Sequence, residues 1–526
     1  MICLTAVMAA TAQPGDSPYV ESPQSASFQA GKFLQFYKYL TDTYIDKLDA
    51  GELVETAIVE MLATLDPHSY YTSPEEMVAV NESFDGKFSG IGVQIYMVQD
   101  TLRASGIISG GPAEKVGMLP GDRIVRVDTT SIVGMTQMES IKLMRGPKGT
   151  KVNIHVVRPG SGDLSFHITR DDISIETIDA AYMPSHGVGY IKVNRFAHTT
   201  MDEFRRAFEG FGKGVNSLIV DLRGNGGGLM NQAIDMSGFF LPKGSLILST
   251  QGRSVPLQRY PSEDKGAFLK GRVIVLIDDF SASGSEIVAG ALQDWDRAVI
   301  IGRRSYGKGL VQRQYPLVDG STVSITVSRY LTPSGRAIQR PFTLGHEDEY
   351  RDSFAARFES GYVDTLAYAD SLRFRTLKLG REVFGGSGIY PDYYVASDTT
   401  GYSDYMMELV RKGVVYEYSN EYIDKHRAEL LERHPSFGGF FKEFTVSDAM
   451  YEELAEMGEG REVERDPEGL EEARGRISLS LRAYIARALY GETEATRVVN
   501  EDDPMMKKAM EVLQHWDTMS KGISGK

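Results

Sequence analysis

The sequence predicts a multidomain α/β protein in which a central α/β layer is joined to a smaller β-rich module and to helical regions at both ends. Three short apolar runs, at 217–222, 272–278 and 297–302, have the composition of strands buried on both faces of a sheet. Helical patterns at 229–240 and 285–295 lie between these runs. Strands that alternate with helices are typical of a layered α/β core with parallel strands.

The 526-residue chain is long enough for about three or four domains. Changes in pattern along the chain divide it into five segments. These are a signal-like segment at 1–22, an N-terminal helical region at 23–85, a β-rich module at 86–170, the α/β core at 171–400 and a helical extension at 401–526. The core also carries a polar insertion at 342–385, to which the sequence assigns no function.

Composition excludes several classes of protein. The formal net charge of −15 argues against a general nucleic-acid binder, which would present a basic face. Cys3 is the single cysteine, and neither CxxC nor HExxH occurs, so thiol and metal chemistry are not predicted. The start of the chain is apolar and ends in small residues, like a secretory signal, although it lacks a positive n-region. This pattern predicts export, and no later stretch reaches the roughly 18 apolar residues of a membrane span.

The stretch FSASGSEIVAGALQDW, at 280–295, places three serines ahead of an apolar helix. Ser283 and Glu286 match the capping box Ser-x-x-Glu, so Ser283 could simply cap this helix. The same turn follows a predicted strand and lies at the positive end of the helix dipole. Unpaired backbone N–H groups there can bind an oxyanion, which suits a serine that performs acyl transfer. A nucleophilic serine also requires a base.

The candidate base is Lys308, in RRSYGKGLVQRQY. No histidine occurs between His198 and His346, so an Asp-His pair would have to come from outside the α/β layer. If the following segment is extended, Lys308, Leu310 and Gln312 share one face, and Gln312 could hold the amine in place. A neutral lysine needs its pKa lowered from about 10 to about 7–8, and burial is the usual cause.

Two glycine-rich stretches lie near these residues. The segment 302–308 matches G-x-x-x-x-G-K but lacks the following Ser or Thr and the helix of a phosphate-binding loop, so nucleotide binding is not predicted. The segment DLRGNGGGL, at 221–229, contains three successive glycines between a strand and a helix. These glycines let backbone amides approach a substrate carbonyl, although a tight turn without function would have the same composition.

SASGSE, GKGLVQ and DLRGNGGG together resemble the carboxyl-terminal processing proteases, also called tail-specific proteases, which are Ser-Lys serine peptidases with a PDZ domain. The lysine lies 25 positions after the serine, which matches the family spacing. The resemblance implies an α/β protease core with a crotonase/ClpP-like sheet and no cofactor. This chain has glycine where the family usually has alanine after the nucleophile. The site residues implied are Ser283 as nucleophile, Lys308 as base, Gln312 as its orienting partner, and the backbone N–H groups of Gly284 and of Gly227 or Gly228 as oxyanion donors.

The resemblance covers about 28–400 and includes LDPHSYYTSPEEM, SRYLTPSGRAIQ and GIYPDYYV. It identifies the β-rich module as the PDZ domain. The implied peptide-binding loop contains Gly90, Ile91, Gly92 and Val93. A substrate tail would add as a strand beside 91–97 and present its terminal carboxylate to the loop amides, with a helix at 136–145 as the opposite wall.

The sequence therefore predicts an exported serine endopeptidase, in the periplasm or cell envelope, that cleaves proteins recognised through their free C-terminal tails. A non-catalytic PDZ scaffold or chaperone is the main alternative, and an acyl-CoA enzyme of the crotonase type is a second one. The apolar faces of the C-terminal helices are compatible with a homo-oligomer. Neither the natural substrate nor the effect of the PDZ domain on activity follows from the sequence.

Overall fold

A computed structural model describes residues 24–98, 100–108, 110–158, 161–358 and 370–522. The predicted signal-like segment lies outside these ranges. The N-terminal region is mainly helical. Its elements are α1 (Ala26–Thr43), α2 (Ala50–Ala63), β1 (Tyr70–Thr72) and α3 (Pro74–Asp85).

The next region is built from short antiparallel strands. Its elements are β2 (Lys87–Gly90), β3 (Val93–Val98), β4 (Thr101–Ile107), α4 (Pro112–Lys115), β5 (Arg123–Val127), β6 (Thr130–Ser131), α5 (Gln137–Met144), β7 (Lys151–Arg158), β8 (Gly162–Thr169) and β9 (Asp171–Ser174). The strand order is β3-β4-β5-β7-β8, with β6 beside β5. Strands β2 and β9 pair where the chain enters and leaves the region, so its two ends meet.

Strands and helices alternate in the following region. Its elements are β10 (Ile178–Ser185), β11 (Val188–Val193), α6 (Thr200–Gly210), β12 (Ser217–Asp221), α7 (Met230–Phe240), β13 (Leu246–Gln251), β14 (Gln258–Pro261), β15 (Arg272–Ile277), α8 (Gly284–Asp294), β16 (Val299–Gly302), β17 (Leu310–Pro316) and β18 (Thr322–Leu331).

The remaining elements belong to the insertion and the C-terminal extension. The insertion contains α9 (Glu347–Ala355), 3-10 turns at Ala356–Phe358 and Asp370–Leu372, β19 (Arg373–Arg375) and β20 (Glu382–Phe384), and β21 (Tyr393–Tyr394) follows it. The extension contains α10 (Asp404–Arg411), α11 (Val414–Arg433), α12 (Phe437–Glu443), α13 (Asp448–Glu459), α14 (Pro467–Tyr490), α15 (Glu492–Glu501), α16 (Pro504–Gln514) and α17 (Trp516–Gly522).

The main sheet has the strand order β10-β11-β12-β15-β16-β21. It is parallel from β11 to β21, and β10 joins its edge antiparallel to β11. A second sheet has the order β1-β18-β13-β14, with β17 also paired to β18. Strand β1 thereby attaches the N-terminal region to this α/β region. The multidomain α/β architecture that the sequence predicts is confirmed.

Helices cover both faces of the main sheet. Val220 of β12 packs into the apolar cluster formed with α6, α7 and α8. Its neighbour Ile219 points to the opposite face, because side chains alternate along a strand, and packs with Met505 and Val512 of α16. The last part of the extension is therefore part of the central core. None of the helices among the described residues combines the length and apolar composition needed to cross a bilayer.

Candidate active site

Ser283 lies in the turn between β15 and α8, at the carboxyl end of the parallel strands. Its φ of 53° and ψ of −109° place a non-glycine residue in a sparsely populated backbone region. Such strain persists only where the surroundings impose it, and it is concentrated at functional sites. The Ser283 N–H donates to Glu286 Oε2 at 2.8 Å, so the predicted capping partner does hold this turn.

Lys308 lies in the loop between β16 and β17 and is half-buried. Burial lowers the pKa of its ammonium, and the carboxylates of Asp66 and Glu286 act in the opposite direction. Within the described ranges no carboxylate oxygen lies within 4 Å of this ammonium. A half-buried lysine without an ion pair has the environment that a general base requires.

Glu286 joins the loop of the serine to the loop of the lysine. Its Oε2 accepts the Ser283 N–H at 2.8 Å and the Lys308 N–H at 2.9 Å. Its Oε1 accepts the Ser305 hydroxyl at 2.5 Å and the Gly307 N–H at 2.8 Å. The side chain is fully buried, and burial raises its pKa to about 7 in spite of the four donors. From the sequence, Glu286 could be recognised only as the end of a capping box.

Tyr330 of β18 forms a second connection between the two loops. Its hydroxyl lies 3.2 Å from the Ser283 carbonyl oxygen and 2.9 Å from the Lys308 carbonyl oxygen. The single hydroxyl proton is shared between these two acceptors. The ring is 2% exposed, so these bonds lie beneath the surface. The backbones of Ser283 and Lys308 are therefore linked through both their N–H groups and their carbonyl groups.

The glycine turn after β12 lies directly against the serine. Gly227 has a φ of 101°, and a Cβ atom there would lie 2.7 Å from the Ser283 Cβ, so no larger residue fits. The Gly227 N–H donates to Asn225 Oδ1 at 2.8 Å. In the described part of the chain, no acceptor is found for the N–H groups of Gly228 and Gly284. These two groups are therefore open to a ligand.

Gln312 is tied to a neighbouring strand. Its amide Nε2 donates to Thr326 Oγ1 at 3.0 Å. A β-bulge between Val311 and Gln312 shifts the pairing register of β17 and β18. Strict alternation of side chains therefore does not hold at this point, because a bulge adds one unpaired residue. The orienting role of Gln312 toward Lys308 stays a prediction.

The loop between α2 and β1 brings a histidine to Lys308. His68 is buried, and its pKa is lowered to about 4, first by burial and then by the positive charge of Lys308. Its Nε2 lies 3.3 Å from the Tyr350 hydroxyl of the insertion. Between His198 and His346 the α/β region has no histidine in its sequence. The histidine near Lys308 comes instead from the N-terminal helical region. In the sequence, this histidine stands out only as part of LDPHSYYTSPEEM, one of the segments that carry the family resemblance.

The predicted peptide-binding loop borders a small cavity of about 100 Å³. Gly92 has a φ of 77°, and a Cβ there would lie 3.2 Å from Ile173 Cδ1, so the turn requires glycine. Arg145 lines the cavity and pairs with Glu82 at 2.6 Å. The apolar lining comes from β2, the loop, β3 and α5: Phe88, Ile91, Val93, Ile95, Ile141 and Met144.

Comparison with known proteins gives matches to three family models. Peptidase family S41 matches residues 187–346, the PDZ domain matches 103–158, and a family of unknown function matches 405–491. The last match lies in the C-terminal extension, to which the sequence assigned no function.

For two curated relatives, the segment that matches this chain spans most of the relative's length. The carboxy-terminal processing protease CtpA of Bacillus subtilis is 36% identical over 322 residues, which is 61% of this chain and 69% of the relative. A carboxy-terminal-processing protease of Bartonella bacilliformis is 35% identical over 323 residues, 60% of this chain and 74% of the relative. A solved structure, the photosystem II D1 C-terminal processing protease, is 29% identical, with a TM-score of 0.34, over 58% of this chain and 89% of that one.

Proposed function

Because the chain belongs to the carboxy-terminal processing proteases of peptidase family S41, we propose that Ser283 and Lys308 form its catalytic dyad and that its PDZ domain captures the C-terminal tail of the substrate. The enzyme is a serine-type peptidase. The observation that carries the proposal is the Glu286 carboxylate, whose Oε2 receives the backbone N–H of both Ser283 and Lys308. A single buried oxygen thus holds both loops in one arrangement.

The first half of the reaction forms an acyl-enzyme. The Ser283 Oγ attacks the scissile carbonyl carbon, and the neutral Lys308 Nζ takes the hydroxyl proton. The carbonyl oxygen becomes an oxyanion and accepts from the N–H groups of Gly284 and Gly228, which are open to a ligand. Gly227 is the less suitable of the two upstream glycines, because its N–H donates to Asn225.

The tetrahedral intermediate then collapses, and the Lys308 ammonium gives its proton to the leaving amine. In the second half a water molecule loses a proton to Lys308 and attacks the ester carbonyl. The C–O bond to Ser283 breaks, and the same proton returns to its hydroxyl oxygen. No step needs a cofactor. The lowered pKa of Lys308 supports this use of the amine, because a larger fraction is then unprotonated near neutral pH.

The proposed capture step uses the cavity beside Gly90, Ile91, Gly92 and Val93. A tail would add as a strand to β3 and insert its last side chain between that strand and α5. The apolar lining favours an apolar terminal residue, and the free carboxylate would accept from the loop amides. We further propose that residues 1–22 direct export to the periplasm or cell envelope.

Peptide cleavage by three variants of the full chain tests the dyad. Ser283→Ala and Lys308→Ala should each lower cleavage, read by mass spectrometry, by at least roughly 10³-fold while the fold is retained. Lys270→Ala, at an exposed lysine, is the matched control and should leave cleavage unchanged. Each peptide is also supplied with its terminal carboxylate amidated, which should weaken binding to the inactive Ser283→Ala variant. Full activity of either dyad variant would refute the assignment, and tail binding without cleavage by the unmodified protein would favour a scaffold.

A further inference from the structure

The carboxylate of Asp66 is held rigidly at the edge of the candidate active site. It accepts the His68 N–H at 3.0 Å, the Ser69 hydroxyl at 2.8 Å and the Thr326 hydroxyl at 2.9 Å. The Ser69 hydroxyl oxygen in turn accepts the Thr326 N–H at 3.1 Å. Ser69 and His68 are buried, and Asp66 is half-buried. Three donors from two chain segments therefore fix the orientation of one carboxylate.

A chain of two hydrogen bonds that begins at the Gln312 amide ends at the same carboxylate. The Gln312 amide donates to Thr326 Oγ1, and the Thr326 hydroxyl donates onward to Asp66 Oδ1. Gln312, which the sequence predicts to orient the lysine, is thus linked to Asp66 through Thr326. Strand β18 carries Thr326 and also Tyr330, whose hydroxyl bonds the Lys308 carbonyl oxygen.

Three titratable side chains interact electrostatically with the ammonium of Lys308, namely Asp66, Glu286 and His68. Asp66 and Glu286 raise its pKa, and burial, the largest effect, lowers it. Burial raises the pKa of Glu286 to about 7, so this carboxyl group is only partly ionised near neutral pH. His68 is neutral near pH 7 because its pKa is lowered to about 4, and the charge of Arg340 contributes to this lowering. Asp66 is therefore the principal negative charge available to an ammonium at this position.

We propose that Asp66 is a positioning residue whose fixed carboxylate stabilises, through its charge, the ammonium formed when Lys308 takes the proton of Ser283. This inference rests on the proposed dyad. Proton transfer from a neutral hydroxyl to a neutral amine creates a cation in a half-buried site, where a prearranged carboxylate stabilises it. The carboxylate of a Ser-His-Asp triad does the same for an imidazolium. The N-terminal helical region thereby supplies part of the catalytic machinery of the α/β core.

The pH profile of kcat/KM distinguishes this role from a structural one. Because the Asp66 carboxylate raises the pKa of Lys308, Asp66→Asn should lower that pKa and move the acid limb to lower pH. The plateau kcat should fall roughly tenfold or more, since the ammonium is less stabilised. Asp66→Glu should return the limb toward its original pH. Glu60→Gln, at an exposed carboxylate of α2, is the control and should leave the profile unchanged.

A uniform loss of activity in Asp66→Asn, with the acid limb unmoved, would overturn the inference. If this variant does not fold, as judged by thermal unfolding, Thr326→Val is the second test. It removes the Thr326 hydroxyl donor from the Asp66 carboxylate, which leaves more of the negative charge to act on Lys308, so the acid limb should move to higher pH. An unmoved limb again overturns the proposal. Retained cleavage by Lys308→Ala overturns the dyad itself. An inactive Lys308→Ala with an unmoved limb in Asp66→Asn overturns only the role of Asp66.

Discussion

At the scale of single residues, Glu286 joins the two loops that carry Ser283 and Lys308. Two of its four donors come from the backbones of Ser283 and Lys308, and the other two come from Ser305 and Gly307. An ionised carboxylate can accept all four, because both of its oxygens are acceptors only. Buried donors that lose their acceptor cost about 1–3 kcal/mol each.

Glu286→Gln should therefore lower the free energy of unfolding by about 3 kcal/mol and reduce peptidase activity at least roughly tenfold. The NH2 group of glutamine would replace one carboxylate oxygen, and each of these oxygens accepts from two donors. Two hydrogen bonds are therefore lost. Thermal unfolding and cleavage of a quenched peptide measure the two effects. Glu209→Gln, at an exposed position of α6, is the control. Equal stability of the two variants would contradict the bridging role.

At the scale of secondary-structure elements, the sequence located the segments around the site closely. The apolar runs predicted at 217–222 and 272–278 are β12 and β15, and the helix predicted at 285–295 is α8. These segments are buried on both faces or have a clear helical face, so local pattern determines them. The bulge at Gln312 could not be predicted, because it depends on the register between β17 and β18.

The insertion is the element whose role the sequence left open. Its α9 and the 3-10 turn at Ala356–Phe358 contact three loops that border the site. The Tyr350 hydroxyl meets His68, and the Phe354 ring packs at 4.9 Å from the Tyr306 ring. Arg357 donates to Asp279 Oδ1 at 2.9 Å, four residues before the serine. The insertion thus contacts the loops that lie on either side of Ser283 and Lys308.

Arg357→Met should lower kcat roughly 10- to 100-fold, because the turn that leads to the serine loses a buried anchor. Asp279 keeps its second partner, Arg303, so the protein should still fold. Steady-state kinetics on a quenched peptide measure the change. Arg351→Met is the matched control on the adjoining helix, where an exposed arginine pairs with Asp348. Equal kcat values for the two variants would rule out an anchoring role for the insertion.

At the scale of the whole molecule, the candidate site is assembled from regions far apart in sequence. The serine, the lysine and the glycine turn share one α/β region and could be predicted from their motifs. Asp66 and His68 could not, because only the pairing of β1 with β18 brings their loop to the lysine. Similarly, nothing local indicates that α16 covers one face of the main sheet. Long-range packing of this kind leaves no periodic signal in the sequence.

The C-terminal extension also contacts the PDZ region. The Tyr96 ring of β3 meets the Tyr416 ring of α11 edge-on at 5.2 Å, and Tyr416 also contacts Tyr484 of α14 at 5.3 Å. The Arg103 guanidinium of β4 also lies 3.7 Å from the carboxylate of Asp424, which belongs to α11. Because β3 also lines the predicted peptide groove, the extension holds the strand to which a substrate tail would add.

Tyr416→Ala should therefore loosen β3 and β4 without affecting the main sheet. An edge-to-face aromatic pair contributes about 0.5–1.5 kcal/mol, so amide hydrogen exchange in these strands should become roughly three- to tenfold faster. Hydrogen–deuterium exchange read by mass spectrometry resolves the strands from the rest of the chain. Tyr422→Ala is the control on the same helix, because its ring contacts the rings of Tyr418 and His426 and, among the described residues, no ring of the PDZ region. Since β3 must be ordered to accept a tail, Tyr416→Ala should also bind peptide tails more weakly than Tyr422→Ala. Equal exchange in the two variants would mean that the extension does not restrain the peptide groove.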